Sequence, residues 1–89
     1  MNSKQNWALK IDSKVYKVLS KIPKEYARKI LNTIKSFSLD PFVGDIEKIK
    51  DQENSWRRRV GNYRIFYDIK IKEKIIQVTW VERRVSKTY

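Results

Sequence analysis

The chain has 89 residues, with 21 lysines and arginines against 10 acidic residues and a formal net charge of +11. It has neither cysteine nor histidine, which excludes a disulfide scaffold, a zinc finger, a thiol nucleophile and a histidine general base. With 40% hydrophobic and 12% aromatic residues it can fill a core, although a chain this short buries only about 60% of the surface it exposes when unfolded.

Trp7, Leu9 and Ile11 alternate with Ala8 and Lys10, which predicts a short strand. Asp12-Ser13 then offers a helix N-cap. Val15, Val18, Leu19 and Ile22 follow at helical spacing until Pro23 stops the first helix and opens a second at its first position. That second helix, about 23–38, carries Tyr26, Ala27, Ile30, Leu31, Ile34 and Phe37 on one stripe. Residues 39–45, with Asp40-Pro41 and Gly44, read as a loop. Residues 46–55 are polar, with Ile46 and Ile49 as anchors to the core. Trp56 to Val60, Tyr63 to Ile69 and Ile75 to Val81 are three strands. Gly61-Asn62 is a two-residue hairpin turn between the first two, and the third, being the most apolar, is expected at the centre of the sheet.

The fold class that follows is α+β. A small antiparallel sheet, made of the N-terminal strand and a three-strand C-terminal meander, carries a two-helix hairpin on one face. Residues 1–89 are expected to form one domain. No apolar run approaches the roughly 20 residues of a membrane span, and MNSKQNWALK at the front has no secretory hydrophobic region. A cytoplasmic protein without a membrane partner is the expectation.

The charge points to a polyanionic partner, because +11 far exceeds the roughly 2–8 that solubility asks for. The kind of base also changes along the chain. Residues 1–44 hold eight lysines and one arginine, whereas residues 45–89 hold six of each. Arginine forks onto a phosphate where lysine acts as a point charge, so recognition or chemistry is expected in the second half.

A period of two sorts the strand residues. Trp56, Arg58 and Val60 share one face, and Arg57 and Arg59 the other. A turn at Gly61-Asn62 pairs Val60 with Tyr63 and Arg59 with Arg64, so Arg57, Arg59 and Arg64 meet on one face. Arg83 and Arg84 follow the last strand, beside Arg64. Such a face can grip a phosphate and stabilise the charge of a pentacoordinate phosphorus; it can equally be the solvated face of a basic protein. Phe66 shares the face with Arg64 and is available to stack on a base. Trp80 and Tyr67 are assigned to the core, and Trp56 fits either role. Glu47 and Glu53 offer an alternative base but are more simply loop residues. Lys14, Lys17, Lys21 and Lys24 on the helices can meet RNA phosphates or only solvent.

The run from Trp56 to Tyr67, WRRRVGNYRIFY, resembles the signature of the RelE/ParE toxin superfamily, RelE-like branch. The order of elements before it, Ile49-Lys50, Val81-Glu82-Arg83-Arg84 and a late Tyr89 extend the resemblance over nearly the whole chain. It implies a type II toxin that cleaves mRNA in the ribosomal A site by attack of the RNA 2′-hydroxyl, needing no cofactor and no metal. Its partners would be the ribosome, mRNA and a cognate RelB-like antitoxin. Carried over residue by residue, the catalytic set would be Arg57, Arg59, Arg64, Arg83 and Tyr89, with Arg84 second to Arg83. Arg84, Lys87 and Phe66 would bind RNA. Some relatives have lysines at the places that fall on Ser55 and Arg57. Two other functions share these features: a ParE-like DNA gyrase inhibitor, and a non-enzymatic RNA- or ribosome-binding module, which needs the charge but not Tyr89.

Overall fold

The computed structural model describes residues 7–84. Its elements are β1 (Ala8–Ile11), α1 (Ser13–Leu19), α2 (Lys24–Ser36), β2 (Ile46–Lys48), β3 (Ser55–Val60), β4 (Tyr63–Lys70) and β5 (Ile75–Arg83). The strands form one sheet in the order β1-β5-β4-β3-β2. The α+β class and the placing of helices over one sheet face are as expected, with three differences of detail.

First, the sheet is mixed, because β1 runs parallel to β5 while the other pairs are antiparallel. A connection that crosses two helices and three strands leaves either direction open, so local pattern does not encode it. Second, the polar stretch after Gly44 supplies a short edge strand, β2, paired with β3. Third, β4 rather than β5 lies at the centre, with β5 between it and β1. The apolarity of β5 misleads because Ile75 and Trp80 lie on the sheet face away from the helices, in register with Lys70 and Phe66.

The core is built by the expected alternation. Tyr63, Ile65, Tyr67 and Ile69 of β4 and Ile76, Val78 and Val81 of β5 are buried against Val15, Leu19, Ile30, Ile34 and Phe37 of the helices. Each such aliphatic side chain contributes roughly 1.5–3 kcal/mol relative to exposure. Phe37 stacks on Tyr67 with centroids 4.3 Å apart. Asp12 occupies the N-cap position of α1 without a side-chain cap bond; its carboxylate instead accepts from the Gln77 amide at 2.6 Å. Pro23 is the N-cap of α2 rather than its first turn, and its carbonyl accepts from the Tyr26 and Ala27 N–H groups. Tyr26, at the start of the apolar stripe, is 37% exposed but rests on Tyr63, 5.7 Å between ring centroids.

Two local features set up the open sheet face. Gly61 has φ +58° while Asn62 does not share a positive φ, the pattern of a type II′ turn with glycine first; the hairpin register is therefore Val60 to Tyr63 and Arg59 to Arg64, as expected. In β5 the register shifts after Trp80: Phe66 pairs with Trp80, but Tyr67 pairs with Val78. Thr79 is the extra residue, its hydroxyl donating to the Phe66 carbonyl at 3.3 Å. This bulge exchanges the two faces for everything that follows it in β5.

Candidate functional site

The helices cover one side of the sheet and leave the other bare. On that bare side Arg57, Arg59, Arg64 and Arg84 line a hollow of about 190 Å³ together with Asp45 and Glu47. Three features of the backbone bring them there. Alternation in β3 and β4 presents Arg57, Arg59 and Arg64 on one face, and the hairpin register sets Arg59 directly across from Arg64. The bulge then turns the end of β5. Val81 is fully buried and Glu82 lies across from Arg64, so Arg83 falls in register with the buried Tyr63 on the helix side. Arg84, whose N–H bonds the Asn62 carbonyl beside the hairpin turn, is the arginine that reaches the hollow. A strict period of two through β5 would have exchanged Arg83 and Arg84.

Each of the three strand arginines meets a carboxylate. Arg57 donates through Nη2 and Nε to Glu47 Oε1, at 2.7 and 3.2 Å. Arg59 Nε is 3.2 Å from Asp45, and Arg64 Nη1 is 3.5 Å from Glu82. The pairing is written into the register: Glu47 is the cross-strand neighbour of Arg57 and Glu82 of Arg64, where opposite charges attract. The Arg57 guanidinium holds the Glu47 carboxyl below its ordinary range, with smaller help from Arg59 and Arg64. All these side chains are at least a third exposed or close to it, so the pairs are weak and open to exchange. An incoming phosphate can replace a carboxylate on the guanidinium fork with better geometry and more charge.

The sequence reading missed Asp45 and Glu82 and took Glu47 for a loop residue. Opposite charge at matching hairpin positions was the signal available for Glu82; Asp45 and Glu47 needed β2 to be recognised as a strand.

Arg58 points the other way. On the helix side of β3, its Nη1 donates to the Val43 carbonyl at 3.1 Å, and its Nε is buried without a hydrogen-bond partner among the described residues. It packs under Gly44, which has φ +101°, and so pins the loop that carries Asp45. The Tyr67 hydroxyl holds the same loop from below, donating to the Pro41 carbonyl at 3.0 Å; burial pushes this phenol up to about 12 against a small opposing effect of Arg58.

Of the other expected site residues, Phe66 lies on the open face beside the hollow, in register with Arg57 and Trp80. Trp80, assigned to the core from sequence, is 39% exposed on that same face, turned there by the bulge. Tyr67 is buried as expected, and Trp56 packs against the core with Phe42 edge-on at 5.9 Å. Tyr89 and Lys87 fall outside the described residues. Among those residues no group of three potential ligands gathers to hold a metal ion, and no helix is long and apolar enough to cross a membrane.

Comparison with known proteins gives this geometry a context. Residues 6–85 match the sequence model of the ParE toxin of the type II toxin–antitoxin system parDE. Among solved structures, the chain is similar to the archaeal RelE in the RelE–RelB complex from Pyrococcus horikoshii OT3, with 26% identity, a TM-score of 0.79, and 89% of this chain and 96% of that one covered. It is also similar to the RelB–RelE complex from Methanococcus jannaschii, with 29% identity and a TM-score of 0.61 over 83% and 88% of the two chains. The isolated Escherichia coli RelE toxin shares the fold at 13% identity, with a TM-score of 0.76 over 91% and 87%. No curated protein matches the chain in sequence.

Proposed function

Because the chain belongs to the ParE toxin family of type II toxin–antitoxin systems, within the RelE/ParE superfamily, we propose that it is a toxin that cleaves mRNA in the ribosomal A site. The observation that carries this reading is the convergence of Arg57, Arg59, Arg64 and Arg84 on one open hollow. Four guanidinium groups around a space of that size suit one phosphodiester and the additional charge of its pentacoordinate transition state.

In this reading the RNA 2′-oxygen attacks the adjacent phosphorus. The new 2′-O–P bond forms as the P–O5′ bond breaks, giving a 2′,3′-cyclic phosphate and a 5′-hydroxyl. Arginine hardly deprotonates, so the arginines act on charge and position and the departing 5′-oxygen takes its proton from water. Tyr89 is the proposed acceptor of the 2′-hydroxyl proton. An unperturbed tyrosine titrates near 10, so this role requires the arginines to stand close enough to favour the phenolate. Glu47, ionised and within the hollow, is the competing acceptor. The ribosome supplies alignment of the reacting groups, and the site residues require neither metal nor cofactor for these roles. The partner of the free toxin is an antitoxin whose acidic segment covers the arginine face; the Pyrococcus and Methanococcus relatives are complexes with RelB.

The family match to ParE favours a second reading, inhibition of DNA gyrase, since one fold serves both activities. Adding the protein to programmed ribosomes and mapping mRNA 5′ ends separates the two. Cuts within the A-site codon, absent from free mRNA, support the nuclease; intact mRNA with loss of gyrase supercoiling supports the second reading.

A further inference from the structure

We propose that the open sheet face beside the arginine hollow is a nucleobase-binding subsite that selects bases carrying an exocyclic amino group and rejects uracil; this rests on the RNA-cleavage reading above. Its floor is the cross-strand pair Phe66 and Trp80. Trp7 and Trp56 pack against the core, whereas Trp80 is 39% exposed. The bulge at Thr79 turns it outward at the point where β1 ends and no longer flanks β5. Bulges re-aim side chains in this way beside functional sites. The two rings border a hollow of about 370 Å³ whose polar wall includes Asp68, Ser55 and Gln52.

Position ties this hollow to the phosphate site. Glu82 borders it and also pairs with Arg64. Arg57 sits across from Phe66, and Arg64 is two residues before it on the same face. Two residues along a strand span roughly 7 Å, the reach from a nucleotide's phosphate to its own base. Aromatic floors next to cationic grooves are how single strands are held. Lys14 Nζ lies 5.9 Å from the Trp80 ring centroid, adding positive charge at the outer rim.

The wall sets the choice of base. Asp68 Oδ1 accepts from the Ser55 hydroxyl at 2.6 Å, and its second oxygen has no partner among the described residues. The cross-strand neighbour Gln77 directs its amide to Asp12 instead. A carboxylate offers only acceptors. Cytosine, adenine and guanine each present an amino donor to such a wall; uracil presents carbonyl oxygens on either side of one N–H, and they are repelled.

The test uses the full-length toxin on ribosomes programmed with codons that differ in one base, reading cleavage rate against base identity. Wild-type protein should cut codons with uracil at one position on the order of 10-fold more slowly. Asp68→Asn, whose amide can donate as well as accept, should abolish that preference, so that codons with uracil and codons with an amino-bearing base at that position are cut at equal rates. Trp80→Ala should raise KM on the order of 10-fold with kcat nearly unchanged, and Trp80→Phe should restore much of the loss. Thermal melts establish that each variant is folded. If wild-type protein cuts nothing, the nuclease reading fails and takes the subsite with it. If it cuts, but the folded variants keep the wild-type base profile and KM, the subsite alone is overturned. Variants that lose antitoxin affinity while keeping that profile would likewise overturn it and make this face a protein-docking surface.

Discussion

Gly44 links backbone strain to the arginine hollow, and replacing it with alanine tests the link. At φ +101° an alanine costs roughly 1–3 kcal/mol in backbone strain alone. Its Cβ would also lie 2.5 Å from Arg58 Nη1 and 2.8 Å from Nε. Arginine ends usually move aside, but this one is held by its bond to the Val43 carbonyl; displacing it gives up part of a charged hydrogen bond, roughly 1.5–3 kcal/mol in full. The expected loss for Gly44→Ala is about 2–4 kcal/mol, or roughly 10–25 °C in Tm for a domain of this size. Gly61→Ala is the comparison: φ is +58° but a new Cβ meets nothing within 4 Å, so only strain of about 1–2 kcal/mol is expected. Urea denaturation followed by circular dichroism measures both, and the double variant with Arg58→Ala isolates the clash. In that background Gly44→Ala should cost about 1–2 kcal/mol less. Additive losses, or a Gly44→Ala loss no larger than that of Gly61→Ala, would refute the account in which Arg58 pins this loop.

Three further outcomes are expected. Tyr67 titrates at about 12 in the folded chain against about 10 unfolded, so the native state holds its proton more tightly; the stability this gives is intact below pH 10 and is lost as pH rises through about 12. Tyr67→Phe should flatten that alkaline fall in Tm, and an unchanged slope would show that Tyr67 is not its source. Glu47→Gln should strengthen binding of an uncleavable single-stranded RNA several-fold, because it frees Arg57, and leave cleavage within about threefold, whereas Tyr89→Phe should lower kcat by roughly 10²–10⁴. A hundredfold loss in Glu47→Gln instead would move the proton-acceptor role to Glu47. Arg64→Ala should weaken the same RNA and reduce the slope of log K against log salt by about 0.7; fluorescence anisotropy across a salt series checks it, and an unchanged slope would mean that Arg64 touches no phosphate.

Much of the site could be read before any coordinates. The positions of Arg57, Arg59 and Arg64 on one face follow from strand alternation and a two-residue turn, both local properties of the chain. The same is true of the core stripe Ile30, Ile34 and Phe37, and of Tyr67 beneath it. Glu47 was legible only as an alternative base in a loop, and Asp45 not at all, because a three-residue edge strand has too few positions to show a period. Its pairing exists only because β3 offers a ladder to join.

What the chain determined by itself was therefore the hairpin, its register and the sign of its two faces, because these depend on neighbours within a few residues. The direction of β1 and the central place of β4 belong to the tertiary structure, since a long connection carries no directional signal. So does the fate of the last strand. Alternation cannot announce a bulge here: Ile76, Val78 and Trp80 continue a faultless apolar period into the core. Only packing decides that Val81 fills the buried site instead, where β1 gives way to α1 and the Asp12 N–H closes on the Val78 carbonyl. That single inserted residue exposes Trp80 and brings Arg84 rather than Arg83 to the hollow, because in a sheet a shift of one residue reverses every side chain beyond it.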